Sequence, residues 1–245
     1  MLTVFIPFHN EEEKDIHKFL IELKEILSHN FIEKIILDDD GSVNKTKEIL
    51  EKFINLNNSL NKIILIKNLR NKGVGFSFKE ALKFTTSKFI IFIPSDNDIP
   101  LTIFSNIEIF IKKNLDLVMY YPINLEKYSR YRYLISMLFR IIYGFIFDLK
   151  IHYIQAPCMY KLDELKKENF FSTRFSIWAE INLKLLKKNI NYTEIGIIYK
   201  KNSYVDRSIS IKNFLEVAIS FLRLFFEVFI SKRNKFKNKS TKFYF

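Results

Sequence analysis

The first hundred residues alternate between short, continuous apolar runs and longer segments in which apolar residues recur at helical spacing. Four apolar runs predict buried strands, at residues 2–6, 34–37, 62–67 and 88–93. In the segment after the first run, Ile16, Phe19 and Leu20 begin a helical stripe, and Asn10 is its predicted N-cap. Alternation of this kind predicts a parallel sheet covered by helices on both faces.

Polar clusters follow directly after these predicted strands. They are His9-Asn10-Glu11, Asp39-Asp40-Gly41-Ser42, the loop 70–75 and Asp96-Asn97-Asp98. The chain has only five glycines, and Gly41, Gly73 and Gly75 lie in these loops. Ligands of open α/β sheets bind at the carboxyl ends of the strands. The clusters therefore predict one binding site at that edge.

Asp96 and Asp98 are the candidate metal ligands. Two carboxylates that follow a buried strand suit Mg²⁺ or Mn²⁺, and such ions usually carry substrate phosphates. Taken alone, the same residues are also typical of an ordinary turn. The neighbouring polar loops favour the metal site and, with it, an enzyme that acts on a nucleotide or a sugar phosphate.

Several other chemistries have no support in the sequence. It contains neither a P-loop nor a dinucleotide-binding glycine fingerprint, so phosphate would contact the metal, Arg70, Lys72 and loop amides. A zinc site is disfavoured because there is one cysteine, Cys158, and the four histidines lack ligand spacing. A single cysteine, with no visible signal peptide, predicts a cytoplasmic protein.

The four clusters together resemble family 2 glycosyltransferases with the GT-A fold. The matching stretches are residues 6–11, Asp39 to Ser42, Asn71-Lys72-Gly73 and Asp96 to Asp98, in the family's order. The resemblance implies an α/β fold, with a Rossmann-like, mostly parallel sheet and helices on both faces. It also implies inverting transfer of a sugar from a nucleotide-sugar donor, with Mg²⁺ or Mn²⁺ as cofactor.

The resemblance also implies roles for individual residues. Pro7, Asn10 and Glu11 would form the pocket for the base, and Asp39 and Asp40 would contact the base or the ribose. The loop of Lys72 and Gly73 would bind the donor, whereas Asp96 and Asp98 would face the ribose, the diphosphate and the metal as catalytic residues and metal ligands. Asp38 stands where the family usually has an aliphatic residue, and we interpret it as a strand-end substitution.

Later segments resemble the polyprenyl-phosphate branch of this family. Glu180 lies where many members have an acid at the acceptor site, so it is a candidate general base, with a solvated helix acid as the alternative. Segment 200–208 lies where the branch often has Arg-x-x-Gly-x-Ser, but here the glycine is missing and the arginine is displaced to Arg207. Arg207 is the candidate phosphate contact, and the acceptor would be a polyprenyl phosphate or a lipid-linked glycan.

Two aromatic helices are predicted at 128–147 and 211–230, each with one narrow polar stripe. Lipid-interface helices are one interpretation, and helices packed on the domain with the stripe facing water are the other. The net charge of +12 and the acid-free basic segment 231–245 favour an anionic membrane surface. We therefore predict a peripheral protein on the inner face of the membrane.

The predicted organisation is a GT-A domain at 1–210 followed by an amphipathic helix and basic tail at 211–245. Within the domain, 1–100 would be the nucleotide-binding half and 101–210 the acceptor half. Two other functions stay open. A sugar-phosphate nucleotidyltransferase is disfavoured by the acidic, glycine-free loop from Pro7 to Glu13, and a non-catalytic basic binder is disfavoured by carboxylates at the predicted site. No nucleic-acid partner is expected.

Overall fold

The structure is a computed structural model that describes residues 1–57, 61–96, 98–124, 130–200, 211–231, 235–236 and 239–244. Its strands are β1 (Leu2–Phe8), β2 (Ile32–Asp39), β3 (Ile63–Lys67), β4 (Phe89–Phe92), β5 (Leu117–Pro122), β6 (Cys158–Lys161), β7 (Asn191–Ile197) and β8 (Thr241–Lys242). Its helices are α1 (Glu13–Leu27), α2 (Thr46–Asn57), α3 (Val74–Phe84), α4 (Phe104–Lys112), α5 (Arg130–Phe147), α6 (Leu162–Lys166), α7 (Ser176–Leu186) and α8 (Ile211–Phe226). A π-helical turn at Glu227–Ser231 continues α8 without a break, and it is described together with that helix.

These strands form one eight-stranded sheet in the order β3-β2-β1-β4-β6-β5-β7-β8. Neighbouring strands are parallel except at β6, which is antiparallel to both β4 and β5. All strands other than β6 therefore point the same way, and their carboxyl ends share one edge. This architecture confirms the predicted α/β fold with a mostly parallel sheet.

Apolar side chains fill both faces of the sheet, because successive strand residues point to opposite sides. In β1, Val4 and Ile6 pack with helices α1, α2 and α4, whereas Phe5 packs with α3, α5, α7 and α8. Cys158, the single cysteine, is buried on the second of these faces. Both faces being covered explains why the strands are apolar without alternation.

The predicted start of α1 is wrong by a few residues. The helix begins at Glu13 and its N-cap residue is Glu12, not Asn10. Asn10 instead has a φ of 52°, in the left-handed region that asparagine tolerates better than most residues. This conformation directs the chain between β1 and α1 across the end of the neighbouring strand, and so contributes to the site described below.

The polar stripe of α8 faces the protein, which neither interpretation of the sequence predicted. The Ser220 hydroxyl lies 3.2 Å from that of Ser172, and Glu216 accepts a hydrogen bond from Ser176 at the start of α7. Apolar side chains on the opposite side of α8, such as Leu215, Ile219 and Leu222, consequently point outward. Within the described part of the chain, no helix is long and apolar enough to cross a bilayer.

The chain end joins the same sheet, since β8 pairs in parallel with β7. Lys242 of β8 also forms an ion pair at 2.5 Å with Glu194 of β7. The division into a domain at 1–210 and an appended segment at 211–245 stays a prediction.

Candidate functional site

Hydrogen bonds of Asn10 join the loop after β1 to the loop after β2. The backbone N–H of Asn10 donates to Ser42 Oγ at 3.0 Å, and Asn10 Oδ1 accepts the N–H of Val43 at 2.9 Å. Ser42 N–H donates in turn to Asp39 Oδ1 at 3.1 Å. Pro7, the penultimate residue of β1, pairs in register with Asp38 of β2. Pro7, Asn10 and Asp39 therefore lie close together, and the assignment of Pro7, Asn10 and Glu11 to a base pocket stays a prediction.

Asp40 joins the β2 loop to the loop after β3. Its Oδ1 accepts the N–H of Lys72 at 2.8 Å, and its Oδ2 accepts the N–H of Gly73 at 2.7 Å. Charge-assisted bonds of this kind are stronger than neutral ones. The buried Asp40 carboxylate thus shapes the loop, and its predicted contact with a base or a ribose stays a prediction.

Position 73 requires glycine for two reasons, its backbone conformation and the close packing around it. Its φ is 94°, and a Cβ atom there would lie 2.5 Å from the carbonyl oxygen of Thr173. The close approach allows Phe76 N–H to donate to that same oxygen at 3.0 Å. Lys72 beside it is exposed, with its ammonium 4.3 Å from the Phe76 ring centroid. The loop therefore places a cation at the rim of the edge.

Asn68 is a central residue of the site that we did not predict. Its Nδ2 lies 3.2 Å from Asp40 Oδ1, 3.3 Å from Ser77 Oγ and 3.4 Å from Asp38 Oδ1. Its backbone N–H donates to the carbonyl of Asp39 at 2.9 Å. Its position directly after the third apolar run was the available signal, because amide side chains at strand ends commonly tie loops together.

Asp38 lies beneath this cluster as a buried acid. Burial raises the pKa of its carboxyl to about 7, because desolvation disfavours the charged form. A hydrogen bond with Ser77 opposes the rise in pKa, and the negative charges of Asp40 and Asp39 add to it. This environment agrees with our interpretation that Asp38 is a strand-end substitution and not a third catalytic acid.

The acidic loop after β4 is connected to both of its neighbours. Ser95 Oγ donates to Glu11 Oε1 at 3.2 Å, which ties it to the β1 loop. The carbonyl of Asp98 accepts the N–H of Lys200 at 2.6 Å, which ties it to the chain after β7. Asp96 Oδ1 accepts the N–H of Asp98 at 3.2 Å, so the loop is a turn, and Asn97 lies outside the described residues.

Asp96 and Asp98 fit a metal that binds together with a phosphate. Asp96 is exposed and Asp98 is half-buried, at the end of a central strand. Among the described residues, no group of three His, Cys, Asp or Glu side chains converges to hold an ion. Mg²⁺ is commonly held by one or two carboxylates together with waters and substrate phosphates. The two acids therefore suit an ion that arrives with a diphosphate.

Glu180 lies apart from this edge, inside α7. Its side chain has no exposed surface. Its two oxygens accept the N–H groups of Phe171 at 3.0 Å and Ser172 at 2.9 Å, and Lys184 lies 2.7 Å away. A general base must reach the proton that it removes. This burial argues against the predicted role as a base and for a structural role in holding segment 171–172.

The remaining acceptor residues are only partly described. Arg207 lies outside the described residues, as does the rest of segment 201–210. Lys200 is described, and its ammonium forms an ion pair with Glu22 of α1. Hydrogen bonds thus connect the loops after β3, β2, β1, β4 and β7 in one series along the carboxyl edge.

The sequence matches the family model described as glycosyl transferase family 2 over residues 3–165, which is more than half of the chain. The chain belongs to glycosyl transferase family 2. The matched region contains all of these loops up to the acidic one. It also places the chain in an enzyme class, glycosyltransferases, and the nucleotidyltransferase alternative gains no support.

Solved structures with this fold include two bacterial proteins. S. aureus TarS 1–349 in complex with UDP-GlcNAc has 19% identity and a TM-score of 0.60, over 90% of this chain and 66% of that one. Glucosyl-3-phosphoglycerate synthase of Mycobacterium tuberculosis, in complex with Mn²⁺, UDP and phosphoglyceric acid, has 14% identity and a TM-score of 0.66. That match covers 92% of this chain and 78% of the synthase, which has also been crystallised with Mg²⁺ and UDP.

These likenesses extend over only part of the longer relatives. This chain spans 41% of the longer TarS chain. No protein of curated function matches the sequence. Neither structural neighbour specifically supports the polyprenyl-phosphate branch, so that finer assignment stays a prediction.

Proposed function

We propose that this glycosyltransferase transfers a sugar from a uridine-diphosphate sugar to a lipid-linked acceptor at a membrane surface, with inversion at the anomeric carbon. The observation that carries the proposal is the hydrogen-bonded series of loops across the ends of β1 to β4. It holds Asn10, Asp39, Asp40 and Asp98 at one edge within the matched family domain. Uridine is the first base to test because TarS and the mycobacterial synthase were both solved with UDP.

The donor is expected to lie along this edge. Pro7, Asn10 and Glu11 would enclose the base, and the Asp39 carboxylate suits N–H and hydroxyl donors of the base and ribose. Lys72, exposed at the rim, would add positive charge near the diphosphate. Asp96 and Asp98 would hold Mg²⁺ or Mn²⁺, which as a Lewis acid neutralises the departing diphosphate.

The buried state of Glu180 bears on the class of acceptor. A hydroxyl acceptor needs a base to remove its proton, whereas a lipid phosphate is already anionic. Because Glu180 is enclosed and engaged by Phe171, Ser172 and Lys184, the structure supports the phosphate over the hydroxyl. A polyprenyl phosphate is therefore the favoured acceptor. A lipid-linked glycan is the second candidate, because its hydroxyl would need a base.

A nucleotide-sugar panel would test the proposal. Purified protein would be incubated with UDP-, GDP- and dTDP-sugars and Mn²⁺ or Mg²⁺, with and without short-chain polyprenyl phosphate. We expect metal-dependent release of nucleotide diphosphate and a glycosylated lipid from one UDP-sugar. Binding of no nucleotide diphosphate in calorimetry, with either metal, would refute the donor assignment. Transfer to a water-soluble alcohol but not to the lipid phosphate would refute the acceptor assignment.

A further inference from the structure

Helix α8 is attached to the protein through its polar side. In addition to the contacts of Glu216 and Ser220 described above, Glu227 lies 2.9 Å from the ammonium of Lys184. Lys184 has 1% of its side chain exposed, and it also pairs with Glu180 at 2.7 Å. Buried charges are tolerated only when they are paired in this way. These pairings determine the orientation of α8, because the opposite side of the helix is apolar and could not form them.

That orientation leaves an apolar row in water. Leu215, Ile219, Leu222, Phe226 and Ile230 are spaced by four, three, four and four residues, and each is at least 56% exposed. This spacing places them on one face. The apolar face of a helix in a soluble protein normally packs against the core. An apolar row that faces away from the core instead marks a surface that binds a partner or a membrane.

Helix α5 extends the same surface. Phe221 of α8 packs against Tyr143 and Phe147 of α5, with ring centroids 5.2 and 5.6 Å apart. Beyond this seam, Leu138 and Phe145 of α5 are also exposed, Phe145 to 88%. We name the exposed apolar side chains of α5 and α8, through Ile230, the two-helix face. Exposed apolar side chains that lie singly are normal on a soluble protein, whereas a continuous group of them marks an interaction surface.

The charge around the two-helix face is positive. Helix α5 contains no Asp or Glu from Arg130 to Phe147, and the exposed Asp148 directly after it is paired with Lys239. On the α8 side, Glu216 accepts a hydrogen bond from Ser176, and Glu227 is paired with Lys184. Arg140 and Arg223 are exposed. Arg223 also lies over the Phe171 ring at 5.3 Å, beside a shallow groove of about 540 Å³. Apolar side chains of α8 line the groove together with Arg223 and Glu227, and Glu227 is neutralised by its ion pair with Lys184. An apolar surface edged with arginine matches a bilayer that has anionic headgroups.

We propose that the two-helix face is a docking surface for an anionic lipid bilayer, in which the helices lie parallel to the membrane. The inference rests on the proposed function, because it identifies the surface through which the enzyme reaches a lipid-linked acceptor. Charge decides against a second copy of the chain as the occupant, since two such faces would bring arginines of like charge together. The row on α8 inserts among the acyl chains, and the arginines lie at headgroup level.

The docking surface is also connected to the donor edge. Ser172 contacts α8 through Ser220, and the next residue, Thr173, lies against Gly73 and accepts the N–H of Phe76. Gly73 in turn donates to Asp40. Docking through α8 therefore sets how the carboxyl edge is held relative to the bilayer.

Vesicle binding tests the proposal. The full chain and the variant Ile219→Glu/Leu222→Glu would be sedimented with phosphatidylcholine vesicles, with or without phosphatidylglycerol. We expect the unmodified protein to bind the anionic vesicles and to be released by salt. We expect the variant to partition at least tenfold more weakly, because two apolar insertions are replaced by charges. Phe145→Glu on α5 is an independent variant with the same expected direction.

A matched control separates this effect from added charge in general. Ile21→Glu places the same substitution on an exposed isoleucine of α1, away from the two-helix face. It should bind vesicles like the unmodified protein. Equal binding by all variants would overturn the proposal, and so would a solution dimer that binds no vesicles and that Ile219→Glu/Leu222→Glu converts to a monomer.

Nucleotide binding, measured by calorimetry without lipid, keeps this proposal distinct from the proposed function. The variants should bind UDP and Mn²⁺ with the affinity of the unmodified protein. Loss of vesicle binding with nucleotide binding intact supports the docking surface. Normal vesicle binding by a protein that binds no nucleotide would refute the donor assignment while leaving the docking surface in place.

Discussion

In the loops at the carboxyl edge, polar side chains gather where the sheet ends and where a ligand can reach them. Between α7 and α8, polar side chains are buried, and the apolar side chains that point outward are those on the far side of α8, such as Leu215, Ile219 and Leu222. Both regions carry acids, serines and a lysine at regular positions. Asp98 after β4 is half-buried beside an exposed Asp96, whereas Glu180 in α7 has no exposed surface. The same residue types therefore attach a helix in one region, and in the other we expect them to bind a ligand.

The difference follows from what surrounds each carboxylate. At the sheet edge, parallel strands end together, and the loops that follow them are open to solvent and to a ligand. Inside α7, the Glu180 side chain has no exposed surface, so its oxygens pair with Lys184 and with the N–H groups of segment 171–172. Environment, more than residue type, decides whether an acid can act on a substrate.

Asp98→Ala would have the largest effect expected from this comparison. Loss of a metal ligand removes several kcal/mol of charge stabilisation from the transition state, so transfer should fall by at least about 10³-fold. Metal-dependent binding of UDP should be lost with it, as measured by calorimetry. Asp163→Ala, at an exposed acid of α6, is the control and should leave both measurements unchanged. Full activity in Asp98→Ala would refute the site assignment.

Glu180→Ala should show the opposite pattern, a large loss of stability. The change leaves buried N–H groups of Phe171 and Ser172 without their acceptor and weakens the pairing of Lys184. Breaking a buried pair costs about 3–5 kcal/mol, which corresponds to a melting temperature lower by roughly 10 °C. Differential scanning calorimetry would measure it. An unchanged melting temperature would show that Glu180 is not holding this region together.

Glu180→Gln distinguishes a structural acid from a general base. Glutamine keeps the shape and one acceptor oxygen, and Lys184 retains Glu227 at 2.9 Å. Removal of a general base lowers kcat by about 10²–10⁴-fold. We expect kcat of the folded variant to fall less than about tenfold, measured well below its melting temperature. A loss in the larger range would restore the role predicted from the sequence.

Asp38→Asn tests the buried acid beneath the donor loops through the pH dependence of stability. The folded pKa of Asp38, about 7, lies above its ordinary value of 3.8. Between these values the folded protein keeps a proton that the unfolded chain releases, so the free energy of unfolding falls as pH rises through this window. Asparagine has no proton to lose. The variant should match the unmodified protein near pH 4 and exceed its stability at pH 8 by about 4 kcal/mol.

Urea unfolding at pH 4, 6 and 8 would measure this difference. The groups that face Asp38 are Asp39, Asp40, Glu80, Ser77 and Asn68. Asp38→Leu also removes the titrating carboxyl, so its stability relative to the unmodified protein should change with pH in the same direction as that of Asp38→Asn. A variant that is less stable than the unmodified protein at pH 8 would contradict the prediction.

Periodicity predicted strands β1 to β4 well because the signals for them are local. Each of β1 to β4 is a short apolar run that ends in a polar loop, and parallel strands bring those loops to one edge. Asn68 was missed because its partners come from two separate segments, the end of β2 with Asp38 and Asp40, and α3 with Ser77. No local pattern indicates a contact of that kind.

The sequence did not predict which way the polar stripe of α8 faces, and the reason is different. A helical period shows which residues share a face, but not which face meets the protein. The available signal lay in α7, where Glu180 and Lys184 are four residues apart on a helix that is buried all round. An acid and a base at that spacing among apolar residues indicate an internal pair, and such a pair can accept a polar helix face above it.

The smallest effect is expected where the same spacing occurs in water. Glu108 and Lys112 of α4 are four residues apart and 2.8 Å from each other, almost the geometry of Glu180 and Lys184, but both are more than half exposed. Solvent screens such a pair, and its two side chains lose entropy when they are held together. Glu108→Gln should therefore leave the melting temperature unchanged within the error of calorimetry, in contrast to Glu180→Ala. A drop comparable to that of Glu180→Ala would show that spacing, not burial, determines how much an ion pair contributes to stability in this fold.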